Sequence, residues 1–184
     1  MASHILISLQ QEINRKCPSD VPTVLSFGKV IADGAVNVIP NQVHLEGTFR
    51  AMNETWRKEA HRLIEQIATG IASSMGGSCQ VEIRHGYPVL YNHEKITEAA
   101  KQSATRLLGK AHVEDMDIRM TAEDFAWFTQ SVPGMMFRLG VKKPGSDAVY
   151  PLHTSGFRVD ASALKTGMAL LSYLTIELLK NSPV

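Results

Sequence analysis

Residues 3–16 carry apolar side chains at helical spacing, with Ile5, Leu6, Leu9 and Ile13 on one side and Gln10, Gln11, Asn14 and Arg15 on the other. Pro18-Ser19-Asp20 breaks that helix. From Thr23 to Ile31 the period drops to two, placing Leu25, Phe27 and Ile31 on one side, and Asp33-Gly34 makes a turn. Gln42 to Ala51 is the clearest strand. Val43, Leu45, Phe49 and Ala51 take one face and Gln42, His44, Glu46, Thr48 and Arg50 the other, so the sheet has one wet or ligand-facing side. Asn53 caps the next helix, whose apolar stripe is Trp56, Ala60, Leu63, Ile64, Ile67 and Ile71 and which ends at Gly76-Gly77. Cys79, Val81 and Ile83 then alternate with Gln80, Glu82 and Arg84, predicting a third strand.

Helix, strand, strand, helix, strand is the β-α-β-β-α-β split motif of ferredoxin-like domains without its front strand. The pattern changes after Gly86-Tyr87-Pro88. A helix is predicted over 94–108, with Ile96, Ala99, Ala100, Leu107 and Leu108 inward and Gly109 as its stop. There follow a short helix over Ala122–Gln130, a strand over Met135–Val141, a turn-rich loop over 142–149 and a closing helix over about 161–180. Leu164, Met168, Leu171, Leu174 and Leu178 are its expected inner face. This second part reads as α/β, with mostly buried strands between helices. The expected division is 1–87 and 88–184.

An apolar fraction of 44% and a charged fraction of 20% are those of a soluble globular protein. With net charge +1 and no run of Lys or Arg, no nucleic-acid partner is expected. The greasiest stretch, Met168 to Ile176, is far below the ~20 apolar residues of a bilayer span, so no membrane partner is expected either. The first residues lack a basic leader, and the expectation is a cytoplasmic protein with Cys17 and Cys79 as ordinary thiols.

The sharpest local motif surrounds His153, in Pro151-Leu152-His153-Thr154-Ser155-Gly156-Phe157-Arg158-Val159-Asp160. Imidazole is a standard zinc donor, but a catalytic zinc usually takes three protein ligands and no co-ligand spacing accompanies this one. His44, His61, His85, His93 and His112 gain nothing from spacing and read as surface residues. Glu123 and Asp124 suit the positive N-terminal end of a short helix. Arg50 is either solvated surface or a guanidinium fork for a substrate carboxylate, and Asn37 reads as a turn residue.

Taken in order, Gly34-x-x-Asn37-Val38-Ile39-Pro40, Gly47-Thr48-x-Arg50, Glu123-Asp124-Phe125, Pro133-Gly134, Leu139-Gly140 and Leu152-His153-x-x-x-Phe157-x-x-Asp160 resemble the M20 metallopeptidases. The nearest branch is that of N-acyl-amino-acid amidohydrolases, hippurate hydrolases and N-acetyldiaminopimelate deacetylases. The resemblance spans essentially the whole chain. It implies a ferredoxin-like lid and dimerisation domain lacking its first strand, followed by the C-terminal segment of an α/β zinc-hydrolase catalytic domain. No Cys-Gly-His-Asp segment and no Glu-Glu pair occurs, so the chain resembles the C-terminal half of a member, inactive alone, with its general base outside these residues. The resemblance implies that His153 is the last metal ligand, for zinc or manganese, with Glu123 and Asp124 beside it. It further implies that Asn37 and Arg50 hold an N-acyl amino acid or small peptide, and that the lid forms a homodimer. A non-catalytic dimerisation module and part of a dipeptidase or carboxypeptidase are the alternatives. Ser155, where a proline is common, and Ala161, where an acidic residue usually follows Asp160, depart from the family pattern.

Overall fold

The computed structural model describes residues 1–146 and 150–181. The chain forms two compact units, one of Met1–Val89 with Arg119–Glu123, the other of Leu90–Ile118 with Asp124–Val184. The architecture is mixed α+β, with a single two-stranded sheet among the described residues.

In the first unit, helices α1 (Ala2–Lys16) and α2 (Glu54–Ser74) pack on the antiparallel strands β1 (Thr23–Ile31) and β2 (His44–Ala51). The helix periods do what they predict. Ile5, Leu9 and Ile13 of α1 are buried, as are Trp56, Ala60, Leu63, Ala68 and Ala72 of α2. Asn53 Oδ1 accepts from the Trp56 backbone N–H at 2.9 Å, satisfying one of the donors that a helix start leaves open. The Trp56 indole N–H donates to Thr23 Oγ1 at 3.0 Å, so the largest core side chain is buried with its polar edge paired.

Two strand expectations need correction. Phe27 stands opposite Gly47 but Lys29 opposite Glu46, so Gly28 is an extra residue on β1. The bulge rephases the strand, and Ile31 falls opposite exposed His44 rather than on the side of Leu25. Gly47 is required there, because a Cβ would stand 2.6 Å from Ser26 O and 2.8 Å from the Phe27 ring. The predicted third strand keeps its alternation. Cys79, Val81 and Ile83 are half-buried and Gln80, Glu82 and Arg84 exposed, yet no ladder pairs this stretch among the described residues. A period of two fixes which side faces the core and says nothing about whether a neighbour is there to bond.

In the second unit, helix α3 (Glu94–Leu108) packs on the terminal helix α5 (Ala161–Asn181) through Ala100, Ala104, Leu170 and Leu174. Between them in sequence comes a single-turn helix α4 (Ala126–Thr129), shorter than the predicted 122–130. The expected inner face of α5 is borne out at Leu174 and Leu178 and corrected at Leu164, Met168 and Leu171. Ala163, Leu170 and Leu174 are buried, while Leu164, Met168 and Leu171 are 59%, 67% and 59% exposed. Residues 134–139 are half-buried but form no ladder among the described residues, correcting the predicted buried strand. The Asn92 side chain takes the place of a strand neighbour, donating to Met136 O at 2.9 Å and accepting from Met136 N at 2.8 Å. Of the predicted loop 142–149, residues 147–149 lie outside the described residues. No helix among the described residues is long and apolar enough to cross a membrane.

Candidate metal and substrate residues

His153 sits on a turn fixed from both ends. Thr154 Oγ1 donates to Pro151 O at 2.8 Å, and Phe157 N to Thr154 O at 3.1 Å. Gly156 lies beneath the Tyr150 ring, where a Cβ would come within 2.4 Å of a ring carbon. At the far end Asp160 accepts from the hydroxyl and the backbone N–H of Ser162, at the start of α5, and its own N–H donates to Val141 O at 3.0 Å. Those two bonds from Ser162 hold its carboxyl below the ordinary carboxylate value. Within this turn His153 has φ of 66°, and among the described residues no other non-glycine has a positive φ. The left-handed conformation costs an L-residue about 1–2 kcal/mol, and the surrounding bonds hold the residue in it with its side chain exposed. Strain of this kind concentrates at functional positions. An open cavity of about 400 Å³ adjoins the turn, with Lys142, Lys143, Arg158 and Asp160 in its lining.

In the first unit Asn37 stands at the tip of a two-residue turn closed by reciprocal Ala35–Val38 backbone bonds of 3.1 and 3.0 Å. Gly34 is needed at its base, since a Cβ would meet Val38 O at 2.5 Å. Asn37 is exposed, and its neighbours Val36 and Ile39 are exposed almost completely. Arg50 is opposite Val24, at the end of the ladder away from the Ile31–His44 pair beyond which that turn lies. Its Nη1 donates to Met120 O at 2.7 Å, joining β2 to the stretch that leads to half-buried Glu123. The structure therefore brings Arg50 and the 119–123 segment together, and leaves Asn37 and Arg50 at opposite ends of the hairpin. Asp124 is exposed, its carbonyl accepting from Trp127 N at 3.0 Å as α4 begins. One helical turn carries little macrodipole, which weakens the reading of the acidic pair as a helix-end device.

Among the described residues no group of three or more His, Cys, Asp or Glu side chains is placed to hold a metal ion.

The remaining histidines divide, correcting the expectation that all lie on the surface. His44 and His112 are exposed. His61 is half-buried, its ring edge-on to Phe49 at 5.6 Å and to His85 at 5.0 Å between centroids. Burial, then the like charge of His85 and of Arg57, lower its pKa against the pull of Glu54. His93 is half-buried before α3, and its Nδ1 is buried without a partner. Periodicity carried no signal for His61, whose ring neighbours Phe49 and His85 are distant in sequence.

Residues 14–177 match Peptidase family M20/M25/M40. The N-acetyldiaminopimelate deacetylase of Leuconostoc citreum is 31% identical over 175 residues, covering 95% of this chain and 44% of that protein. Thermostable carboxypeptidase 2 of Saccharolobus solfataricus is 29% identical over 157 residues, covering 85% and 39%. The solved structure of the Bacillus subtilis YXEP protein, described as a dinuclear metal binding peptidase from the M20 family, superposes with a TM-score of 0.74 at 24% identity. That match covers 97% of this chain and 45% of that one, and is a likeness of fold. The chain spans less than half the length of these relatives.

Proposed function

The chain belongs to the M20/M25/M40 peptidase family of hydrolases, and we propose that it supplies the lid and the closing catalytic segment of a metal-dependent amidohydrolase acting on N-acyl amino acids. In this reading residues 1–87 are the lid and 88–184 the catalytic segment, which does not turn over substrate by itself. The observation that carries the proposal is His153, an exposed imidazole in a left-handed conformation on a turn tied down at both ends. A divalent ion, zinc or manganese, when bound would polarise the scissile carbonyl and acidify water. His153 contributes one ligand, held in a fixed direction by its turn. Glu123 and Asp124 orient ligands or water beside the ion.

The Arg50 fork suits the carboxylate of an amino acid, and the Asn37 amide can both donate to and accept from the adjoining amide. An N-acyl amino acid and the C-terminal bond of a peptide share that arrangement, a carboxylate one carbon from an amide nitrogen. The names of the deacetylase and carboxypeptidase relatives fit the same recognition. Since Asn37 and Arg50 occupy opposite ends of one hairpin, a homodimer through the lid would let one protomer supply Asn37 and its partner Arg50 to a single substrate.

The test has two parts. Zinc titration followed by imidazole NMR should shift His153 resonances, and His153→Ala should remove that shift. With zinc or manganese and N-acetyl or N-benzoyl amino acids, residues 1–184 alone should give no turnover. Robust turnover by the chain alone, or zinc binding indifferent to His153, would overturn the assignment.

A further inference from the structure

Two imidazoles meet in the first unit although nothing in their sequence spacing joins them. His61 stands on α2 and His85 directly after residues 79–84, and their ring centres are 5.0 Å apart at an interplanar angle of 62°. Phe49 of β2 braces the His61 ring edge-on, at 5.6 Å and 68°, so packing sets the direction of that ring. Zinc–imidazole bonds are about 2.0–2.1 Å long, and at a tetrahedral angle they bring two ring centres to roughly 5 Å. The pair stands at the separation that one shared ion requires.

Edge contacts between aromatic rings span about 4.5–7 Å, so separation alone does not decide the role; the nitrogens do. Among the described residues no hydrogen bond engages a ring nitrogen of either histidine, and only His93 has a buried side-chain nitrogen without a partner. The His61 nitrogens, on a half-buried residue, therefore stay within reach of solvent, and His85 is exposed. A histidine that serves packing ordinarily spends a nitrogen on a carbonyl or carboxylate. Both rings here keep theirs. Burial, then the like charge of His85 and of Arg57, holds His61 below the ordinary imidazole value, which leaves it uncharged at neutral pH, the form that binds metal. Arg57 is bound to Glu54 at 2.7 Å, so these two neighbours on α2 present little net charge to a cation beside the rings.

We propose that His61 and His85 form a two-imidazole site for a late first-row transition-metal ion, zinc or copper, which ties the end of the extended stretch to α2. Two protein donors leave the other positions of the ion to water, since among the described residues no group of three or more His, Cys, Asp or Glu stands ready to hold it. Such an ion exchanges readily. Imidazole donors favour copper over zinc and both over manganese, and they are poor ligands for magnesium and calcium, which take oxygen. The consequence is mechanical: residues 78–88 make no backbone–backbone hydrogen bond among the described residues, and the ion pins that stretch to its helix. The site draws only on donors of the first unit, and stands whatever His153 binds.

Zinc titration of the His153→Ala chain, followed by imidazole NMR at about pH 7.5, tests it. The His61 and His85 resonances should shift together with one midpoint, at lower zinc than those of exposed His44 and His112. Magnesium should move neither. His85→Gln, at an exposed position where folding is not at stake, should weaken binding at His61 by roughly tenfold or more, because the second donor no longer acts within the molecule. His61→Phe, which keeps an aromatic contact with Phe49, should do the same at His85. Zinc should also raise the unfolding midpoint of His153→Ala and lose that effect in either variant. Separate midpoints for the two rings, a His61 shift indifferent to His85→Gln, or shifts no earlier than those of His44 and His112 would each overturn the site. Paired shifts here in a natural chain whose His153 ignores zinc would sink the reading of the catalytic segment and leave this one standing.

Discussion

At His61 the surroundings matter more than the residue type. Its ring lies between Phe49 and His85, and burial first, then His85 and Arg57, favour the neutral form. The unfolded chain takes up that proton near the ordinary value of 6.5, the folded chain only at lower pH. Between those two values the unfolded state binds more protons, so stability rises with pH through the window. The prediction is a plateau above 6.5 and a decline as pH falls below it, until the folded-state pKa is passed. Urea midpoints measured over about pH 5 to 8, for the natural chain and for His61→Phe, check it. The variant keeps an edge-on aromatic contact with Phe49 and should lose part of the slope. An unchanged slope would mean that His61 does not titrate differently on folding. His153 is governed differently, since what its neighbours constrain is its backbone.

Elements were legible where a local rule decides them, and not where a distant partner does. The helix over 94–108 follows from its own spacing and from Gly109, and α2 from Asn53 and its apolar stripe of Trp56, Ala60, Leu63, Ile64, Ile67 and Ile71. β1 was readable in extent, but the bulge at Gly28 reversed the facing of Ile31, since a glycine in a strand does not announce whether it inserts a residue. Residues 79–84 alternate in burial and 134–139 are half-buried throughout, yet among the described residues neither has a strand neighbour, a distinction that sequence pattern cannot make. The candidate site divides likewise. The motif singles out His153, while its left-handed φ and the Tyr150 ring over Gly156 emerge only from the folded turn. For 134–139 the substitute neighbour is Asn92, with two bonds to Met136 at 2.9 and 2.8 Å. Asn92→Ala strips both from a part-buried backbone, and the expected loss is about 2–3 kcal/mol by denaturant unfolding. Asn92→Asp, which keeps an acceptor for Met136 N but no donor for Met136 O, should fall between. Equal stability of all three would show that the segment is held by its apolar side chains instead.

For the molecule as a whole, the decisive feature is a helix apolar on two sides. One side of α5 is spent on α3 through Leu170 and Leu174. The other presents Leu164, Met168, Leu171 and Leu179, between 59% and 74% exposed and spaced along one heptad stripe. Covering a leucine or methionine stabilises by about 1.5–3 kcal/mol, so the stripe favours any arrangement that shields it, including association of like chains. Apparent mass in sedimentation should therefore rise with protein concentration, and a hydrophobic dye should bind. Replacing Leu164, Met168 and Leu171 together by glutamine should suppress both effects. It should leave the unfolding midpoint nearly in place, because exposed positions contribute roughly 0.5 kcal/mol or less each and glutamine is close to leucine and methionine in helix propensity. Leu170→Gln, one step away and buried at 5% exposure, should instead unfold α5 from α3. If the natural chain sediments as a monomer at all concentrations and binds no dye, the stripe is not sticky. If the triple variant melts as early as Leu170→Gln, the stripe is core after all, and the inner face predicted from the spacing of Leu164, Met168 and Leu171 was the right one.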